Sequence, residues 1–375
     1  MDNNVLSGMN LTELQEVVQQ LGAPRFVAKQ LADWLYAKQV TDFEQMTNLP
    51  LALRQRLAEQ YIIGRKPHVE RLESKDGTVK YLFPTLASTT DVAEGRNSLV
   101  ESVFIPTAEE SEAEQSRHER GTLCVSSQVG CKMGCLFCMT GRQGFSAQLT
   151  PAEILNQVYA LPEWERLTNL VFMGQGEPLD NVDAVLKACE LLTAPYGLAW
   201  SPKRITVSTV GDMQGLKRLL EESSCSVAIS LHFAQPELRR IYMPAERVWP
   251  IRRVVEFLRN YEFAVEGGQR RLSFEYIVFE GLNDTPEAID ALVDLLKGMR
   301  CRVNLIPFHT IPNSPFRAAS ETRMKALRNE ITRRGVFCTL RASRGEDIMA
   351  ACGLLSNAHK AANYGKEKQR GSQNK

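Results

Sequence analysis

The 375-residue sequence has no uninterrupted apolar run of about 18 residues, the length a membrane-spanning helix requires. Its first residues, MDNNVLSGMNLTELQ, lack the basic stretch and apolar core of a secretion signal. Neither a membrane span nor export is therefore expected, and the expected location is cytoplasmic. Charge of one sign is also missing, since 45 Lys and Arg against 44 Asp and Glu leave a net +1. No global field marks a polyanion partner, so any nucleic-acid contact must come from a local patch. Histidines are scarce at five, whereas cysteines number nine. An odd cysteine count in a chain without an export signal argues against a disulfide framework and for metal or redox chemistry. The remaining composition, 43% hydrophobic and 24% charged, is that of an ordinary globular protein.

Residues 1–63 read as a small helical accessory domain, because LTELQEVVQQLG, RFVAKQLADWLYAKQV and TDFEQMTNLPLALRQRLAEQY carry apolar residues at spacings of three and four. Residues 64–120 read as a β-rich connecting segment followed by an acidic loop. Within it, VERLESKDGTVKYLFP predicts two strands about an Asp-Gly turn and SLVESVFIP a third. From 121 to 345 six apolar runs (GTLCVSSQ, LTNLVFMG, KRITVSTVG, SVAISLHF, RLSFEYIVF and CRVNLIPFH) alternate with five helical patterns. Thr150-Pro151 and Thr285-Pro286 mark two helix starts. Such alternation predicts an α/β fold, a partial or full (β/α) barrel, with a doubly wound sheet as competitor. In either fold the functional groups gather at the carboxyl ends of the strands, where Cys131, Gly174 to Pro178, Ser208, His232 and His309 all fall. Residues 346–375 form a C-terminal segment ending in a basic tail.

The stretch CKMGCLFCMTG places Cys131, Cys135 and Cys138 at C-x3-C-x2-C spacing. A structural zinc site needs a fourth ligand, and the nearby chain offers no fourth Cys or His in the usual pairing. Four-cysteine ferredoxin spacing fails for the same reason. The alternatives are core thiols without a ligand, or an iron-sulfur cluster held by three sulfurs with one iron left open. Downstream, MGQGEP (Met173 to Pro178) offers a glycine-flanked turn with a carboxylate suited to a cationic amino group.

With Phe137 directly before its third cysteine, the cysteine stretch resembles the radical S-adenosylmethionine superfamily. Together with TLCVSSQVGC, STVG, ISLH, NLIPF and SRGEDIMAACG, it looks like the RlmN/Cfr-type RNA adenine methyltransferases, over about Leu11 to Cys352. The resemblance implies a barrel of the radical S-adenosylmethionine type. It further implies one 4Fe-4S cluster on Cys131, Cys135 and Cys138, with S-adenosylmethionine chelating the open iron and two cofactor molecules used per turnover. Cys352 matches the family cysteine that is first methylated. A 5′-deoxyadenosyl radical then activates that methyl group for addition to the base, and the cofactor carries the difficult chemistry. Cys124 matches the cysteine that releases the adduct as a disulfide, and Glu101 matches the proton acceptor. Gly176, Glu177, Ser208, Ser230, Leu231, His232 and His309 match cofactor contacts.

The chain departs from the family pattern at His309, where Asn is common, at Phe233 and Ala234, and at Leu354, which stands for a common Gln. These changes leave the chemistry in place and bear on the substrate. The expected reaction is methylation of adenine carbon 2 in large-subunit ribosomal RNA, with transfer RNA as a further target. Expected partners are that RNA and an electron donor such as flavodoxin, with the chain acting as a monomer away from membranes. Alternatives are a different RNA target or carbon 8 selectivity, and a zinc-dependent RNA-binding module without catalysis. Cations at Lys360, Lys366, Lys368, Arg370 and Lys375 would contact phosphates or simply solvate the tail. Cys189, Cys225, Cys301 and Cys338 are read as core residues.

Overall fold

A computed structural model describes residues 4–85, 99–107, 120–265 and 268–355. Most of the expected acidic loop and all of the basic tail beyond His359 lie outside the described residues.

The N-terminal region is helical, as its periodicity predicts, over Leu11–Gln20, Val27–Ala32 and Leu51–Gln60. Asn10 caps the first helix in a reciprocal box with Glu13, which satisfies two amides that the helix itself leaves free. Leu14, Val17 and Val18 form its buried face. The region docks on the barrel through polar contacts: Asn10 Nδ2 donates to Glu190 Oε1 at 3.2 Å, and Glu13 pairs with Lys187 at 2.9 Å.

The strands are β1 (Glu70–Glu73), β2 (Val79–Pro84), β3 (Leu99–Pro106), β4 (Gly121–Cys124), β5 (Gln128–Gly130), β6 (Phe145–Gln148), β7 (Leu167–Phe172) and β8 (Ile205–Thr209). They continue as β9 (Ser226–Ser230), β10 (Ala264–Val265), β11 (Gly268–Gln269), β12 (Leu272–Val278), β13 (Arg302–Pro307) and β14 (Phe337–Leu340). One ten-stranded sheet runs β1-β2-β3-β4-β7-β8-β9-β12-β13-β14. Pairing is antiparallel from β1 to β4 and parallel from β4 to β14. Six of the seven parallel strands are the six apolar runs of the sequence, and β14 is a further strand not expected there. The first strand of this order, β1, does not pair with the last, β14, so the barrel is partial.

Helices Pro151–Tyr159, Val182–Thr193, Met213–Glu222, Ile251–Arg259 and Pro286–Leu296 cover the parallel strands, with Thr150 and Thr285 capping two of them as read from Thr-Pro. A further helix, Glu321–Arg333, leads into β14. Strands covered on both faces need apolar residues on both, which is why these runs are continuous rather than alternating. The carboxyl ends of β4, β7, β8, β9, β12 and β13 open onto one end of the barrel.

Candidate functional site

The three-cysteine loop hangs between β5 and β6, a short antiparallel ribbon. Gly130 closes it at φ +78°, and a Cβ there would lie 1.8 Å from the Gly144 carbonyl oxygen, so only glycine fits. The Cys131 amide donates to that same oxygen at 2.9 Å. Cys135 is buried, while Cys131 and Cys138 are half-buried. Burial pushes the Cys131 thiol up to about 12 and raises Cys135 and Cys138 as well, so the bare loop holds neutral thiols. Phe137 anchors the loop beneath: its ring meets His232 edge-on at 5.1 Å and Phe279 at 5.4 Å. Phe233, a departure from the family pattern, stacks on Phe279 at 5.5 Å and 5° within this same aromatic layer. It supports the loop from below, and Leu354 joins the same buried cluster.

All three cysteines line one cavity of about 150 Å³ together with Gly176, Glu177, Ser208, Ser230, His232 and Cys352. Gly176 holds φ +102°, and a Cβ there would sit 2.9 Å from the Gln128 amide nitrogen. This brings the Glu177 carboxyl to the strand ends, where it accepts the Val210 amide at 2.9 Å and the Leu179 amide at 3.2 Å. Burial raises that carboxyl to about 7, against hydrogen bonds from Thr209, Val210 and Leu179 that lower it. Ser208 and Ser230 hydroxyls face each other at 3.4 Å across β8 and β9.

His232, at φ +50°, accepts the Ile277 amide on Nδ1 at 3.1 Å, which places its proton on Nε2. Burial, with the nearby Arg239 charge, lowers its pKa to about 3, so it is a neutral donor. Arg239 is wholly buried, pairs with Glu246 at 2.5 Å, and donates to the carbonyls of Val210, Ser230 and Leu231. The Leu231 side chain lies in the apolar core, so only its backbone is near the site. Sequence reasoning missed Arg239, since a helix arginine in PELRRIY reads as solvent-facing.

A second cavity of about 250 Å³ adjoins the first and is lined by Cys124, Cys352, Arg341 and His309. Cys352, Arg341, Met173 and Ile306 line both. Cys124 ends β4, and burial, with the neighbouring Cys352, raises its thiol to about 12 while Arg341 opposes the shift. His309, read from the sequence as a cofactor contact, lies in this second cavity with Nε2 2.8 Å from Ser343 Oγ.

The loop from 341 to 355 that carries Cys352 is tied at both ends. The Gly353 carbonyl accepts the Met139 amide at 2.8 Å and the Leu355 carbonyl accepts Thr140 Oγ1 at 2.7 Å, both beside the cluster loop. On the other side Asp76 accepts the Gly345 amide at 3.0 Å, and Ser74 donates to Asp347 at 2.5 Å. Against burial, hydrogen bonds from Thr78, Gly345 and Ser74 hold Asp76 at about 2. The β1–β2 turn therefore clamps a loop some 270 residues away in the chain, as the 269-residue separation of Asp76 and Gly345 records.

Glu101 lies on β3, its side chain 1% exposed, 3.3 Å from Lys80 Nζ. Lys80 pairs with Val103 across β2 and β3, and Val103 with Cys124 across β3 and β4. Paired residues share a face, so Lys80, Glu101 and Cys124 project to the same side of the sheet. Lys80 also donates to the Met349 carbonyl at 3.3 Å. Glu101 does not itself line either cavity. A strand lysine in VKYLFP carries no sequence signal of burial, which is why it was missed.

Among the described residues, no group of three or more His, Cys, Asp or Glu side chains is arranged to hold a single metal ion. A cuboidal cluster spreads its ligands wider than one ion does, and three thiols on one cavity beside a buried carboxyl and paired hydroxyls suit it chemically. No helix is long and apolar enough to cross a membrane among those described.

Residues 4–63 match the family model described as the ribosomal RNA large subunit methyltransferase N-terminal domain, and residues 125–296 match the radical SAM superfamily. The "Probable dual-specificity RNA methyltransferase RlmN" of Parabacteroides distasonis is 53% identical, covering 95% of this chain and 98% of its own length. The "Dual-specificity RNA methyltransferase RlmN" of Syntrophus aciditrophicus is 39% identical over 93% of this chain and 95% of its own. A radical SAM methyltransferase crystal structure from Sphaerobacter thermophilus superposes with a TM-score of 0.82 at 35% identity, covering 94% of this chain and 98% of that one. With relatives this similar along nearly its whole length, the chain belongs to the RlmN family of radical S-adenosylmethionine RNA methyltransferases, enzymes of a 4Fe-4S cluster bound by cysteines.

Proposed function

We propose that this enzyme methylates carbon 2 of an adenine in large-subunit ribosomal RNA and in transfer RNA, by way of a methyl group carried on Cys352. One observation carries the reading: Cys352 lines both the cavity of Cys131, Cys135 and Cys138 and the adjoining cavity of Cys124. A side chain there can meet a methyl donor on one side and a base on the other. The description of the N-terminal family model supports ribosomal RNA, and the words "dual-specificity" in the relatives' names support a second RNA class.

In this reading Cys131, Cys135 and Cys138 hold the cluster. Gly176, Glu177, Ser208, Ser230 and His232 orient S-adenosylmethionine, Leu231 contributes only backbone, and His309 serves the base side. Bound together, cluster and cofactor supply one-electron chemistry that reaches an unactivated methyl group, with electrons from an external donor such as flavodoxin. Cys352 Sγ holds the methyl as a thioether and presents it to an adenine that has left its stack. Once carbon is joined to carbon, the adduct would give up its unpaired electron to the cluster and its ring proton to Glu101, which shares the sheet face of Cys124. The Cys124 thiolate then attacks Cys352 Sγ: a sulfur–sulfur bond forms, the sulfur–carbon bond breaks with its electron pair left on the methylene carbon, and that carbon takes up a proton, so methylated RNA and a disulfide are released. Burial keeps Cys124 protonated at neutral pH until this step, and Arg341, lining the same cavity, favours the thiolate. Residues 1–63 act as the accessory domain, 64–120 as the connector, 121–345 as the barrel and 346–375 as the segment bearing Cys352.

Mass spectrometry of nucleosides from cells lacking and overexpressing the enzyme tests the assignment. 2-Methyladenosine should vanish from both RNA classes in the first and return in the second. Its persistence, or loss of 8-methyladenosine instead, would refute the reading.

A further inference from the structure

A cavity of about 570 Å³ fills the barrel at the end opposite the cluster loop, where the parallel strands begin. Its rim carries Ser226, Leu272, Arg302 and Phe337, the first residues of β9, β12, β13 and β14. Arg271, Arg300 and Arg302 are exposed at its mouth, where Arg302 lies over the Phe337 ring at 5.0 Å, and among the described residues no ion pair engages any of the three. Further in, Arg270, Arg341 and Glu275 complete the charged lining, leaving a strong local excess of positive charge in a chain whose net charge is only +1.

On the inner wall the Arg270 guanidinium donates to the Leu220 and Ser223 carbonyls, and Glu275 Oε1 accepts from Ser273 at 2.9 Å and Asn304 at 2.7 Å, but single polar atoms remain unsatisfied. Ser226 Oγ, Glu275 Oε2 and Arg270 Nε are buried and form no hydrogen bond. Ser226, Arg270 and Glu275 are each more than nine-tenths buried, and Glu275 Oε2 has only Arg341 Nη1 nearby, at 3.6 Å. Buried polar atoms are rarely left without partners, so three on one cavity point to a polar occupant. The volume lies within the range of about 300–1,000 Å³ typical of small-molecule sites. Guanidinium forks at the mouth match phosphate oxygens, and a carboxylate oxygen at depth calls for a donor such as a sugar hydroxyl or exocyclic amine.

We propose that this chamber binds a nucleoside diphosphate, with its phosphates held by Arg271, Arg300 and Arg302 and its hydrogen-bond donors turned inward to Glu275. Met173, Glu275 and Arg341 line both the chamber and the cluster cavity, and Met173 and Arg341 the second cavity as well, so the diphosphate would lie across this shared wall from S-adenosylmethionine. The proposal is independent of which RNA is methylated.

The test is calorimetric titration of ADP, with inorganic phosphate as comparison, into holoenzyme saturated with S-adenosylmethionine so that the cofactor cavity cannot take up the ADP. ADP should bind more tightly than phosphate. Arg300→Ala/Arg302→Ala should weaken ADP by about ten-fold or more, as expected for lost hydrogen bonds between charged groups. Arg252→Ala/Arg253→Ala, which removes equal charge from the exposed side of Ile251–Arg259, should leave ADP binding unchanged. The proposal is overturned if ADP releases no heat, if both variants weaken it equally, or if Arg300→Ala/Arg302→Ala weakens substrate RNA and spares ADP.

Discussion

Removing the cation of the Lys80–Glu101 pair should be among the most costly single changes in the molecule. Both side chains are 1% exposed and their charged atoms lie 3.3 Å apart, so water cannot replace the lost partner. Lys80→Met keeps the length of the apolar stem but removes the charge and the bond to the Met349 carbonyl. Breaking a buried pair from one side costs about 3–5 kcal/mol, because a charge remains in a medium that solvates it poorly. Replacing both members by apolar residues of similar volume is far less harmful, since no charge is then left behind. Denaturant unfolding of Lys80→Met, Glu101→Leu and the double variant should therefore show strong coupling, with the double variant more stable than Lys80→Met. If Lys80→Met costs less than about 1 kcal/mol, the value typical of an exposed pair, or the two losses simply add, the pair is not the buried linchpin inferred from its geometry.

Glu177 should make cofactor-free protein pH-sensitive. Its carboxyl sits at about 7 in the fold against an ordinary 4.5, so between those values the folded state keeps a proton that the unfolded chain has released. Stability then falls as pH rises through that window, by up to about 3 kcal/mol, and Glu177→Gln should flatten the dependence in denaturation measured across it. Asp76→Ala loosens the clamp on the Cys352 loop by about 1 kcal/mol, a factor of about five, and amide exchange at Gly345 and Ala350 should quicken accordingly. Unchanged exchange would refute that coupling. Gly176→Ala forces a Cβ to within 2.6 Å of Gln128 Cβ at φ +102°, so S-adenosylmethionine binding to reconstituted enzyme should fail while circular dichroism stays native. Normal binding would show that the turn can yield.

The barrel was legible because parallel strands buried on both faces are written as continuous apolar runs, and Thr-Pro spells helix starts at 150 and 285. Strand β14 escaped because FCTL is four residues long and opens on Phe337, 54% exposed, which blurs its pattern. The cysteine spacing and the glycine turn were readable since their chemistry is local. The Asp76 clamp and the Lys80–Glu101 pair were not, because each is formed between segments remote in sequence or on adjacent strands whose register no single strand discloses. Glu101 itself came from resemblance, and a strand glutamate gives no sign of its burial. His309 and Phe233 show the converse: both departures are plain in the sequence, but only the fold separates a residue of the second cavity from one of the aromatic layer.

The central claim is that Cys352 carries the methyl group and Cys124 releases the product, and it is tested most directly by incubating purified Cys124→Ala holoenzyme with substrate RNA, reductant and S-adenosylmethionine. Nuclease digestion and peptide mass spectrometry should find an adenine joined through one methylene to Cys352, and Cys352→Ala should yield neither this adduct nor methylated RNA. Methylated RNA from Cys352→Ala, or free product from Cys124→Ala at the unaltered rate, would contradict the account.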